Sequence, residues 1–291
     1  MQTDNKIGVI DVGSNSVRLM MSECGKTLYK RTKTTRLADG LCDAGLLNLV
    51  AIERTADAVC QFNSLAKEEG ATKVYAFATA AVRQAKNGNE FTDMVKRLCG
   101  IEIEVIDGKT EAELGVKGAL NGCDGGIIDV GGASSEVIVV KNGKTEYCKS
   151  LDVGAVRLFN ACGQSEDAVV KTVSEKVKEY GKVPNANFYA IGGTATTLAS
   201  VVMELEPYDP EKVHGYILTK NTVFNLAKRL FSMSIEDRRK LKGLQPERAE
   251  VIAGGAMLVY AVMDYLDIQS VTVSENDNLE GYLILKGELN E

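Results

Sequence analysis

The chain has 291 residues, 45% of them hydrophobic, with 40 acids against 34 Lys and Arg and a formal charge of −6. That length suits two domains of ordinary size, and the acidic balance argues against a nucleic-acid binder held by general electrostatics. No apolar run approaches the roughly 18 residues of a membrane span, and the polar start Met1–Lys6 runs straight into a strand instead of a signal peptide.

In chain order, residues 7–12 and 17–22 read as the strands of a hairpin, with Thr27–Thr35 as a third. Lys26, Lys30, Arg31, Lys33 and Arg36 fall here with no acid among them, a solvated strand face or a positive wall for a polyanion. Gly40–Gly45 is a turn-rich loop. Leu46–Lys67 has apolar residues at helical spacing and is closed by Gly70. Val74–Ala78 is a short buried strand running into a helix that begins at Thr79–Arg83. Glu90–Leu98 is a helix, Ile101–Ile106 an alternating strand, and Lys109–Leu120 a helix crossing from the first domain to the second.

The second half opens on another hairpin, Gly126–Val140, followed by a strand at Thr145–Leu151 and helices at Gly154–Ala161 and Ser165–Tyr180. Asn187–Ile191 is a strand leading through Gly192-Gly193-Thr194 to a helix at Ala195–Met203. Glu204–His214, with Pro207 and Pro210, is a loop. Helices near Asn221–Phe231 and Glu247–Leu266, a strand at Ser270–Val273 and a helix at Leu279–Leu289 complete the chain. Alternating strands and helices call for α/β layering. The seven cysteines (Cys24, Cys42, Cys60, Cys99, Cys123, Cys148, Cys162) contain no CxxC pair and fit reduced thiols in a cytoplasm.

The chemistry concentrates in Ile127-Ile128-Asp129-Val130-Gly131-Gly132-Ala133-Ser134-Ser135-Glu136. Gly131 and Gly132 permit unusual backbone angles and close approach of a ligand, and turn amides with Ser134 and Ser135 can attract an anion. Asp129 and Glu136 suit a divalent cation or a proton transfer. An ordinary tight hairpin would use the same residue types. An internal repeat separates the two readings: Ile10-Asp11-Val12-Gly13 duplicates Ile128-Asp129-Val130-Gly131, and Ser16 falls opposite Ser134 without a gap. Two such units imply a duplicated domain with two phosphate hairpins facing each other.

Seven ordered segments resemble the exopolyphosphatase and guanosine-pentaphosphate phosphohydrolase (Ppx/GppA) family of the actin, sugar-kinase and Hsp70 superfamily. They are IGVIDVGSNSVRLMM at 7–21, ATAAVR at 78–83, IDGKTEAELGVKGAL at 106–120, IIDVGGASSE at 127–136, SLDVGAVRL at 150–158, AIGGTATTLASV at 190–201 and ERAEVIAGGAML at 247–258. The resemblance covers essentially the whole chain and implies the compact form, α/β, with two duplicated actin-like (ribonuclease H-like) domains around an interdomain cleft. The expected domains are 1–117 and 118–291, with the last helix, about 279–291, packing back on the first.

The implied activity is release of terminal phosphate from inorganic polyphosphate, with pppGpp as the alternative substrate, in a cytoplasmic enzyme using Mg²⁺ or Mn²⁺. By resemblance Glu111 is the catalytic base, with Asp129 and Glu136 as the acids of the second hairpin. Asp11 and Asp129 are the expected metal ligands. Gly13, Ser14, Asn15, Ser16, Arg83, Gly131, Gly132, Ser134, Gly192, Gly193 and Thr194 are the expected phosphate contacts. Read on their own, Arg157 and Arg248 suit packing and interdomain ion pairs, and His214 a structural role. The resemblance leaves room for a homodimer; neither nucleic acid nor membrane is an expected partner. The chain departs from the family pattern at Ala133, where a third glycine is usual, and at Asp107, Glu113 and Leu279. A weaker positive field there should cost affinity for long polyanions. These departures motivate a binding-only regulator as a rival reading, and Gly192–Thr194 a small ATP-dependent kinase as another.

Overall fold

The computed structural model describes residues 6–39, 41 and 45–288, and its contacts gather into two units, residues 1–118 with 278–291, and residues 119–277. Most of the expected loop at Gly40–Gly45, and the chain beyond Glu288, lie outside the described residues.

In the first unit, β1 (Lys6–Val12), β2 (Ser16–Glu23) and β3 (Lys26–Thr34) form an antiparallel meander. β4 (Lys73–Ala78) lies parallel to β1, and β5 (Glu104–Val105) parallel to β4, giving the order β3-β2-β1-β4-β5. Helices α1 (Leu49–Glu68), α2 (Ala80–Gln84), α3 (Gly88–Cys99) and α4 (Gly108–Leu120) connect these strands. α1 begins three residues later than its apolar pattern suggests, because Asn48 Oδ1 accepts from the Val50 amide at 2.8 Å and caps it there. The expected strand Ile101–Ile106 shrinks to two residues. Ile101 and Ile106 are both buried although an odd spacing puts them on opposite faces of an extended strand, so the alternation does not run through the segment, and only Phe77–Glu104 and Ala78–Val105 pair with β4. Alternation sets which face is apolar; it does not bring a partner strand within reach.

The second unit repeats the plan. β6 (Gly125–Val130), β7 (Ser135–Lys141) and β8 (Lys144–Leu151) form the meander, followed by α5 (Ala155–Cys162) and α6 (Glu166–Lys176). β9 (Phe188–Ile191) runs parallel to β6 and feeds α7 (Gly192–Val202). The expected Ser165–Tyr180 helix tightens into a 3₁₀ turn at Val177–Tyr180. The expected loop Glu204–His214 contains a short helix, α8 (Pro210–Val213), capped by Asp209 and started by a proline at its first position. β10 (Ile217–Thr219), α9 (Lys220–Ser232) and α10 (Ile235–Arg238) follow. A 3₁₀ turn at Pro246–Arg248 then precedes α11 (Ile252–Tyr265) and β11 (Ser270–Val273), and the last helix, α12 (Asn278–Leu285), belongs to the first unit. The sheet order is β10-β11-β9-β6-β7-β8. Both meanders carry a register shift at matching places, Met21/Ser22 and Val139/Val140. Equivalent irregularities in equivalent strands mark a duplication more firmly than shared strand order does.

Each unit has its own core. That of the first is built from Ile7, Val9, Met20, Phe77 and Leu114 together with Leu279, Tyr282 and Leu283 of α12. Leu279, where the family tends to have arginine, is fully buried there. Gly281 lies against α4, and a Cβ on it would land on the Leu114 carbonyl. Gly281→Ala is expected to cost about 1–3 kcal/mol or more, read as a lowered midpoint of thermal unfolding. The second core surrounds α11 and β9, with α5, α6, α7 and α9 packed around it.

Candidate active site

The two hairpin turns are built alike. Gly13 donates its amide to Ser16 O at 3.0 Å, and Gly131 donates to Ser134 O at the same distance. In the first turn, Ser14 O accepts from Ala38 N, and Asn15 O accepts from the amides of Thr35 and Arg36. In the second, Gly131 O accepts from Ala155 N, and Gly132 O from the amides of Val156 and Arg157. Arg157 adds a bond from Nε to Ala133 O at 3.0 Å, so it ties the turn to α5. The carbonyls are thus spent on the chain that follows each meander. The amides of Ser14, Asn15, Gly132 and Ala133 make no backbone hydrogen bond among the described residues. Rows of amides of this kind bind anions.

The glycines serve differently from expectation. Neither Gly131 nor Gly132 has positive φ, and Ala133 does not either, so its methyl causes no strain. What Gly13 and Gly131 supply is room: a Cβ would lie 3.2 and 3.3 Å from the carbonyls of Ser16 and Ser134. Ser14, Ser16 and Ser134 are buried beside these turns.

The hairpins carry different charges at the cross-strand pair that includes the aspartate. In β1–β2 Asp11 lies opposite Arg18; in β6–β7 Asp129 lies opposite Glu136. Arg18 donates Nε and Nη2 to Asp11 Oδ2 at 3.0 and 2.5 Å. Asp11, expected as a metal ligand, is therefore held in a nearly buried ion pair. Arg18 was not among the expected site residues, although the repeat aligns it with Glu136. Glu136 is buried and accepts from Ser150 Oγ at 2.5 Å, a contact made because β8 lies beside β7 in this register. Next to it, Ser135 Oγ is 2.8 Å from Tyr180 Oη, and burial raises that phenol's pKa far above its usual value.

Glu111 sits in the first turn of α4, which Asp107 caps by accepting from Thr110 N at 2.7 Å. Those amide bonds hold the Asp107 carboxyl below the usual range, and they give the departure from the family's serine a structural use. Glu113 instead pairs with Lys109 on the exposed face. Arg83 Nη1 donates to Glu111 Oε2 at 2.8 Å and to Ile106 O at 3.0 Å. Burial raises the Glu111 pKa and the charge of Asp11 adds to the rise, while Arg83 and Thr79 oppose it. A carboxylate poised in this way suits a general base.

In the second unit, α7 starts directly behind Asp129. Gly192 has φ +79°, and a Cβ there would lie 2.6 Å from Asp129 Oδ1. A Cβ on Gly193 would meet the Arg248 guanidinium at 2.5 Å. Thr194, expected to contact phosphate, is buried and donates its hydroxyl to Val130 O at 2.7 Å. Its role here is to fasten α7 to β6. Gly192→Ala is expected to displace the Asp129 carboxylate and cut phosphate release by about 10²-fold or more, since misplacement of about 1 Å carries that cost. Steady-state kinetics beside a circular-dichroism spectrum of unchanged fold would check it.

No three or more His, Cys, Asp or Glu side chains gather into a metal cage among the described residues. Mg²⁺ is commonly held by one or two carboxylates together with substrate phosphates, and the facing acids Asp129 and Glu136 fit that kind of donor set. His214 is exposed and accepts from Glu275 N at 3.3 Å, consistent with a structural part.

A sequence model of the Ppx/GppA phosphatase family matches residues 18–288. The chain belongs to the Ppx/GppA phosphatase family. A bifunctional 3-dehydroquinate synthase/phosphatase of Fusobacterium nucleatum is 31% identical over 97% of this chain, which spans only 46% of that relative. Exopolyphosphatase 2 of Mycobacterium tuberculosis is 29% identical, with 95% of this chain and 97% of that protein aligned. A solved Ppx/GppA family member from Aquifex aeolicus is 29% identical, covers 98% of both chains and superposes with a TM-score of 0.78. The fold class is that of these Ppx/GppA structures, α/β with duplicated actin-like domains.

Proposed function

We propose that this chain hydrolyses terminal phosphoanhydride bonds of inorganic polyphosphate in the cytoplasm, releasing orthophosphate. The observation that carries the reading is the pair of matched turns whose carbonyls are spent on the fold while four amides stay available to phosphate oxygens. Glu111 takes a proton from the attacking water; Arg83 fixes that carboxylate through Nη1 and offers its remaining donors to the phosphate. Water adds to the terminal phosphorus as the bond to the bridging oxygen breaks. Asp129 and Glu136 would hold a divalent cation, which when bound neutralises charge on phosphate oxygens.

The named exopolyphosphatase relative favours turnover over the binding-only alternative. The family joins polyphosphate and pppGpp hydrolases, so pppGpp is the second substrate. The test is phosphate release from long polyphosphate, pppGpp and ATP in parallel with Mg²⁺, then after chelation and on restoring Mg²⁺ or Mn²⁺. Release from polyphosphate, lost with chelator and regained with either cation, is expected. Release from pppGpp alone would move the assignment to the second substrate, ATP turnover that needs an added acceptor would indicate a kinase, and silence on all three would sink the enzyme reading.

A further inference from the structure

Each meander carries a row of residues running across its strands at the aspartate. In the first unit Arg18 faces Asp11 on one side and Thr32 on the other; in the second, Glu136 faces Asp129 and Ser150. In the first row the middle residue neutralises the aspartate. In the second row two acids stand side by side, and like charges directly opposite on a ladder repel each other. What meets Glu136 from its other side is a hydroxyl: Ser150 Oγ donates to Glu136 Oε1 at 2.5 Å.

A bulge puts that hydroxyl there. Next to the hairpin turn Lys141 pairs with Lys144 and Val140 with Thr145, but Val139 pairs with Tyr147, so β8 carries one extra residue, Glu146. Continued without it, the register would set Lys149 opposite Glu136, and an ammonium there would neutralise the carboxylate as Arg18 neutralises Asp11. Instead Lys149, one residue from Ser150, leaves by the opposite face and donates Nζ to Glu179 O. Re-aiming a side chain in this way is a usual task of a bulge. The chain after Ser150 then locks the arrangement. Leu151 is buried opposite Ser135, Val153 N donates to Leu151 O at 2.8 Å, and Gly154 packs so close that a Cβ would lie 2.5 Å from Gly132 O. The segment that carries the hydroxyl is thus fixed to the turn that Glu136 follows.

We propose that Ser150 is a positioning residue for the divalent cation of this site: its hydroxyl holds the Glu136 carboxylate in place against the charge of Asp129, so that both acids stand ready for the ion. The inference rests on the cation role given above to Asp129 and Glu136. A neutral donor suits the task, because it orients the carboxylate and keeps the negative charge that attracts the ion. Ligating carboxylates are themselves held by hydrogen bonds, and removing such a partner costs about 10–100-fold in metal affinity.

The experiment is Mn²⁺ binding to the full chain with orthophosphate present and polyphosphate absent, read from the paramagnetic resonance signal of the free ion. Wild type is compared with Ser150→Ala, Ser150→Thr, Ser150→Lys and Glu136→Gln. Ser150→Ala weakens Mn²⁺ binding about tenfold or more. Ser150→Thr keeps a hydroxyl on a side chain that strands favour and recovers most of the affinity. Ser150→Lys supplies the ammonium that the bulge keeps away, and it removes binding as Glu136→Gln does. In phosphate release, Ser150→Ala needs about tenfold more Mn²⁺ for its half-maximal rate, while the rate at saturating Mn²⁺ falls much less. Ser150 is exposed on the edge strand β8, so its variants keep a wild-type midpoint of thermal unfolding. If Glu136→Gln loses Mn²⁺ while Ser150→Ala binds it as the wild type does, the inference is overturned and the cation reading stands. If the wild type does not bind Mn²⁺, or Glu136→Gln binds it equally well, both fall.

Discussion

Glu111→Gln lowers the rate of phosphate release by about 10²–10⁴-fold, the usual contribution of a general base, and leaves polyphosphate binding close to wild type. The amide keeps the size of the carboxylate and can still face Arg83, but it takes no proton from water. Burial raises the Glu111 pKa, so in the wild type the ionised, active form is lost as pH falls through a value above the ordinary carboxylate range. The rate should therefore decline on the acid side earlier than for an exposed glutamate, and Glu111→Gln should abolish that limb. Steady-state phosphate release across pH measures both. A variant that keeps wild-type turnover and the same acid limb would remove Glu111 from the mechanism.

Arg83→Ala should be nearly as damaging, for two separable reasons. In the proposed mechanism it removes cationic donors from the phosphate, worth about 10²–10³-fold by analogy with single oxyanion donors. It also deprives Glu111 of a 2.8 Å hydrogen bond and a charge, both of which oppose the rise in its pKa. With those gone, burial and the nearby Asp11 push the carboxyl up further, so the acid limb moves to higher pH. Arg83→Lys restores the charge without the fork that reaches Glu111 and Ile106 O together, so it recovers part of the pH shift and less of the rate. An acid limb that stays in place in Arg83→Ala would separate Arg83 from the base and leave it a phosphate contact only.

Much of the architecture is legible in the residues because it rests on local patterns. The repeat of Ile-Asp-Val-Gly marks the two hairpins, and their turns close with the same bond, Gly13 to Ser16 and Gly131 to Ser134. Apolar spacing locates α1 and α9, while the precise start of α1 depends on a capping bond at Asn48. The site is less legible. Glu111 and Arg83 are separated by two strandlike or helical segments, and nothing in their spacing says that they touch. Ser150 is invisible as a partner of Glu136 until the β7–β8 register is known.

The sequence alone determined the α/β layering, the duplication and the two small-residue turns, since each follows from short-range chemistry: strand alternation, small turn residues and a repeated motif. Only the tertiary structure decided what the individual polar groups do. It set Arg18 on Asp11, gave Thr194 to a strand carbonyl and used Asp107 as a cap. The physical reason is that a carboxylate, hydroxyl or amide acts through the partner within about 3 Å of it, and that partner comes from a strand or helix far away in the chain.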